Sequence, residues 1–250
     1  MARYQVNLVY DGTLFYGFQR QKNQRTVQTV VENALHQLGW QGNTLLAAGR
    51  TDTGVHASGQ VIAFDLAWNH SEQALQQALN AYLPADVAVH KVKLAEDDFH
   101  PRYAALARWY RYRLYLSAWR DPLRERFAWR VWPAPDRSHL EQLANQLAGA
   151  HDFAAFGTPP KAGRSTHRQI FRAGWLENGA ELYFDVTGNA FLYHMVRRLV
   201  GLQVRIAQTR APLEALSDYL DRPGENRVQE LAPPHGLTLM KVYYSLEDLL

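Results

Sequence analysis

Gly49-Arg50-Thr51-Asp52-Thr53-Gly54-Val55-His56-Ala57-Ser58-Gly59 is a polar stretch with one carboxylate, Asp52, and an arginine two residues before it. Its glycines can adopt φ > 0 or let another backbone come close, which suits a place where a substrate must approach the chain. The chemistry on offer is that of a single carboxylate beside a cation. On spacing alone a simpler reading also holds: a tight turn with an Asx cap at Asp52 and a solvated Arg50.

A second constellation is Ala107-Arg108-Trp109-Tyr110-Arg111-Tyr112-Arg113-Leu114-Tyr115. As a strand of period two it puts Arg108, Tyr110, Tyr112 and Leu114 on one face and Trp109, Arg111, Arg113 and Tyr115 on the other. Interleaved arginines and aromatics can hold nucleic acid through phosphate contacts and base stacking. Equally, such a strand can be packed on one side with arginines lying over aromatics on the other. A third constellation, Gly188 to Gly201, reads as a buried helix that still carries Arg197 and Arg198. A buried arginine needs an acidic partner or a phosphate, and adjacent helical residues point about 100° apart, which allows one inward and one outward role. His194 reads as a hydrogen-bonded structural residue, because no carboxylate and nucleophile accompany it. Gly157 to Arg168, with Lys161, Arg164 and Arg168 among Gly and Pro, reads as a mobile basic loop suited to clamping phosphates.

With 250 residues and 47% hydrophobic content the chain can bury a substantial core, as one large domain or two small ones. No apolar run approaches the roughly 20 residues that span a bilayer, and Met1-Ala2-Arg3-Tyr4-Gln5 lacks the core of a signal peptide, so a cytoplasmic protein is expected. The absence of cysteine excludes disulfides and thiolate metal sites. The ten histidines form no H-x-x-x-H or H-E-x-x-H pair, and no metal is expected. The net charge of +3 conceals an asymmetry: residues 1–100 carry 7 Lys+Arg against 9 Asp+Glu, residues 101–210 carry 17 against 8, and the last forty are net acidic. A basic middle segment is what a polyanion-binding face needs.

The elements that would position these residues follow from periodicity. Arg3 to Tyr10 alternates as a half-buried strand ending at the Asp11-Gly12 turn. Thr26 caps a helix that Gly39 stops, strands Thr44–Ala48 and Gln60–Leu66 flank the Asp52 loop, Ser71 caps a second helix running to Pro84, and Val87–Leu94 is a strand. The order β-α-β-β-α-β is the ferredoxin-like signature. It recurs with longer insertions: strand Arg108–Leu116, a helix opened by Asp136, strands Gln169–Leu176 and Glu181–Val186, helices Phe191 to about Ile206 and Leu213–Leu220, and strand Leu237–Tyr244. The expectation is an α+β protein of two pseudo-symmetric ferredoxin-like halves, residues 1–103 and 104–250, with a central antiparallel sheet and an active-site cleft between them.

The Asp52 stretch, Phe99-His100-Pro101-Arg102, Trp109-Tyr110-Arg111-Tyr112, Phe191-Leu192-Tyr193-His194-Met195-Val196-Arg197 and Pro233-Pro234-His235-Gly236-Leu237, with Tyr10-Asp11-Gly12-Thr13 and Phe15-Gly17-Phe18-Gln19 before them, closely resemble the tRNA pseudouridine synthase A family, in the family's order and over essentially the whole chain. The resemblance implies a homodimer that converts uridines 38, 39 and 40 of the tRNA anticodon stem-loop to pseudouridine without cofactor or metal. It implies that Asp52 is the catalytic aspartate, adding to the sugar at C1′ or taking the C2′ proton so that the base leaves. By the same resemblance Tyr110 stacks on the target base and takes part in removing the C5 proton, Arg197 pairs with the carboxylate, Arg50 assists extrusion of the nucleotide, and Leu237 lines the base pocket. Arg102 and Arg108, with Lys161, Arg164 and Arg168, are expected RNA contacts. Thr53 departs from the family, which most often has alanine there. Two rival readings are a module that binds structured RNA without altering it, and a carboxylate-based nucleoside hydrolase.

Overall fold

The computed structural model describes residues 1–159 and 163–248, and within them the chain forms two compact units, Met1–Leu106 with Thr238–Leu250 and Ala107–Leu237. The first begins with β1 (Ala2–Tyr10), whose alternating residues bury Tyr4, Val6, Leu8 and Tyr10. Helix α1 (Val27–Gln37) is capped by the Thr26 hydroxyl, which accepts the Thr29 N–H, and turns its apolar stripe of Val27, Val31, Ala34 and Leu35 inward. Strand β2 (Leu46–Ala47) is shorter than the expected Thr44–Ala48. Strand β3 (His56–Leu66) is longer than expected: it starts four residues before Gln60 and takes over the end of the presumed loop. Helix α2 (Glu72–Tyr82), capped by Ser71, packs on α1 and on β4 (Val87–Leu94). β1 lies between β3 and β4, antiparallel to both, and β2 pairs with β3.

The second unit opens with β5 (Ala107–Leu116) and β6 (Trp129–Val131), which runs parallel to it. Asp136 caps α3 (Arg137–Asn145) by accepting the His139 N–H. Strands β7 (Gly149–Asp152), β8 (His167–Asn178) and β9 (Glu181–Gly188) follow, and the sheet runs β5-β9-β8-β7 with antiparallel neighbours. The periodicity did not disclose β6 or β7, which are too short to show one. Helix α4 (Met195–Thr209) is buried on several faces, as its composition requires, and α5 (Glu214–Asp221) packs against it. The expected start at Phe191 is corrected to Met195. His194 takes a left-handed φ of 67°, so Phe191 to His194 form a bend before the helix instead of its first turn. The last strand, β10 (Leu237–Tyr243), returns to the first unit, where Thr238 and Leu239 pair in parallel with His56 and Ala57 of β3. The sequence-based division had given everything after residue 103 to the second half. Both units are thus mixed α/β structures on mostly antiparallel sheets, with five α-helices in all among the described residues.

Candidate active site

Asp52 sits half-buried in a loop that is anchored at each step. The buried Thr51 hydroxyl lies 2.8 Å from the hydroxyl of Tyr10 at the end of β1, and the Thr51 carbonyl accepts the Phe18 N–H at 3.0 Å. The Asp52 carbonyl accepts the Val55 N–H at 3.1 Å across a turn whose third residue, Gly54, has φ of 78°, the position where a type II turn requires glycine. Gly54 N–H in turn donates to the Phe15 carbonyl at 3.2 Å. Gly17 matters here for a different reason: a Cβ on it would lie 2.8 Å from the Thr51 oxygen, so the 11–18 segment could not lie against the loop. On the other side the fully buried Gln60 donates its amide to the Gly49 carbonyl at 3.0 Å. A carboxylate held this way loses little conformational entropy when a reaction demands one geometry. Arg50, two residues earlier, is exposed and makes no side-chain hydrogen bond or ion pair among the described residues.

In the second unit Tyr110 stands on β5 opposite Val186, half-buried, its ring meeting Phe191 edge-on at 5.1 Å. Next on the same face, Tyr112 and Leu114 are fully buried. Tyr112 donates its hydroxyl to the Pro233 carbonyl at 2.7 Å, and burial raises its pKa well above 10 despite the nearby Arg197 charge, so it remains a donor. Its ring fits because residue 236 is glycine; a Cβ there would come within 2.7 Å of it. Arg197, in the first turn of α4, is buried and donates Nε to the Ala232 carbonyl at 2.8 Å, while the Ala232 N–H donates back to the Arg197 carbonyl at 3.1 Å. Arg197 and Tyr112 therefore strap residues 232–236 into place just before the buried Leu237. Burial also lowers the His235 pKa, which keeps its imidazole neutral near pH 7.

The strand face left open between RNA contact and packing is packed. Arg111 makes a two-pronged ion pair with Asp185 at 2.6 and 2.7 Å and lies over the Trp109 and Tyr183 rings. Arg113 and Arg124 share Glu181, which also accepts the Tyr183 hydroxyl. Of the expected RNA contacts, Arg102 and Arg164 are exposed, and Arg108 donates to the Asn189 carbonyl at 2.7 Å. Arg168 is half-buried on the carbonyls of Ser165 and His167. Lys161 lies outside the described residues.

A family model described as tRNA pseudouridine synthase matches residues 8–104 and 143–245. The chain belongs to the tRNA pseudouridine synthase family. Relatives named tRNA pseudouridine synthase A are 39% identical over 99% of this chain and 98% of their own in Syntrophotalea carbinolica, and 38% identical over 96% and 98% in Moorella thermoacetica. One from Lactiplantibacillus plantarum is 35% identical over 99% and 97%. Asp52, Arg50, Arg197 and Leu237 fall inside the family match, whereas Arg108 and Tyr110 fall between its two segments. Residue-by-residue reading of the sequence did not find Gln60, Thr51 or Tyr112, because their work is to hold other groups. A buried glutamine on an otherwise apolar strand was the one available signal.

Proposed function

We propose that this enzyme isomerises uridine to pseudouridine at positions 38, 39 and 40 of the tRNA anticodon stem-loop, as a cytoplasmic homodimer that uses neither cofactor nor metal. Its family makes it an isomerase acting on tRNA uridine; the anticodon positions are the finer part of the proposal. In this reading Asp52 initiates cleavage of the N1–C1′ bond, the base turns, and C5 joins C1′. Arg197 keeps the carboxylate ionised, Tyr110 stacks on the base and takes part in C5 deprotonation, Arg50 helps turn the nucleotide out of the stem, and Leu237 lines the base pocket. The observation that carries the proposal is the anchored, half-buried Asp52 loop in a chain of this family. Duplication of a ferredoxin-like plan is part of the same proposal. It is supported by a shared arrangement, with β3 between β1 and β2 in one unit and β9 between β5 and β8 in the other.

Release of tritium from C5-labelled uridine in tRNA, with position-by-position mapping of the product, tests it. We expect release at 38, 39 and 40. Asp52→Asn should reduce the rate by at least about 10³-fold while tRNA affinity stays within about three-fold. An intact label with tight binding would support the RNA-binding module instead, and free uracil would support a hydrolase.

A further inference from the structure

In the first turn of α4, Arg198 meets no acid among the described residues. Arg198 is half-buried, and its hydrogen bonds go to carbonyls: Nε donates to Val228 at 3.1 Å and a terminal nitrogen to Phe156 at 3.4 Å. Arg227 precedes the buried Val228, whose N–H is fixed on the Ala155 carbonyl at 3.0 Å. Its guanidinium is exposed and makes no hydrogen bond or ion pair among the described residues. Burial, then the charges of Arg227 and Arg197, depress the Arg198 pKa, so the cations lie within electrostatic reach of one another. A half-buried cation among like charges is costly until an anion joins it.

Beside this cluster stands an aromatic surface. Tyr193 is 57% exposed and stacks on His194 with ring centroids 3.7 Å apart. Its backbone is fixed by the bond from its N–H to the Thr158 carbonyl at 3.0 Å and by the left-handed His194 that follows, a conformation costing on the order of 1 kcal/mol for a residue other than glycine. Strain of this kind persists only where the surroundings enforce it.

We propose that Arg198 and Arg227 form a subsite for a backbone phosphate of the RNA substrate, with Tyr193, stacked on His194, carrying the adjacent base. The planar guanidinium fork matches phosphate geometry. Stacking on tyrosine tolerates any base, so the subsite positions the RNA and does not read its sequence. The proposal rests on the reading that structured RNA is the substrate.

The test is equilibrium binding of the full chain to an unmodified tRNA transcript across a salt series, with tritium release measured on the same samples. Arg227→Ala should raise Kd about five-fold and reduce the slope of log affinity against log salt by about 1. Tyr193→Ala should raise Kd about ten-fold and Tyr193→Phe should restore it. The rate at saturating tRNA should stay within about two-fold of the wild type, as expected for contacts that position the RNA. Both varied side chains are exposed, and thermal melts check folding. Arg137→Ala, which removes an exposed arginine already paired with Glu177, serves as the control with unchanged affinity. Unchanged Kd and salt slope in Arg227→Ala and Tyr193→Ala, in an active wild-type protein, overturns the subsite. A wild-type protein that binds tRNA but releases no tritium counts against the synthase reading alone.

Discussion

Two groups of arginines in the same unit are used in opposite ways. On β5 the guanidinium groups of Arg111 and Arg113 each meet a carboxylate supplied by β9: Arg111 faces Asp185 in direct register, and Arg113 reaches Glu181, which Arg124 also grips. Around the first turn of α4, among the described residues, Arg198 donates to backbone carbonyls and meets no acid, and Arg227 is exposed to solvent. The first group is closed, its charge spent on holding strands and aromatic rings together. The second is open, and its charge remains for a ligand. A local excess of basic residues therefore says little about binding until each cation has been matched to its nearest acid.

Removing the shared acid from the closed group should have the largest effect on stability. Burial raises the Glu181 pKa, but the Tyr183 hydroxyl, Arg113 and Arg124 outweigh it and leave the pKa below its usual value of 4.5. A carboxyl whose pKa is lower in the folded state contributes fully above its unfolded pKa and loses that contribution as pH falls through the folded value. Glu181→Gln should thus cost about 2 kcal/mol in urea unfolding at pH 7, and the gap from the wild type should close below about pH 4. A gap that stayed constant down to pH 3 would show that packing, not charge, unites the group.

Placing an acid in the open group should have the next largest effect, on binding. Arg227→Glu supplies Arg198 with the missing carboxylate and should weaken tRNA affinity by about 30-fold without lowering the melting temperature. If affinity held, the two groups would not differ in function. The smallest effect is expected at Arg164, exposed on the loop after residue 157. Arg164→Ala should weaken binding only about three-fold, with a shallower salt dependence and an unchanged rate at saturation. A loss of rate with normal affinity would move Arg164 from positioning to chemistry.

Much of the scaffold was legible beforehand where a local rule was strong. The Thr26, Ser71 and Asp136 caps, the Gly39 stop and the bounds of β4 follow from capping and alternation and appear in the structure as read. Boundaries failed where a long-range contact overrode the local signal. β3 extends back to His56, where Ala57 pairs with Tyr10 on one edge and His56 and Ala57 meet β10 on the other, and α4 loses its expected first turn to the bend at His194. The Asp52 loop was visible as a carboxylate among glycines, but its anchors were not, since Gln60, Thr51 and Gly17 act on it through contacts that spacing does not encode.

The sequence by itself determined the family, the residue types of the candidate site and the alternating and helical stripes that build both units, because these depend on near neighbours and on ordered motifs. Only the tertiary structure decided which arginines are already neutralised, that Tyr112 and Arg197 strap residues 232–236, and that the last strand returns to the first unit. Charge pairing and strand partnership join residues far apart in the chain, and no local pattern specifies which partner wins.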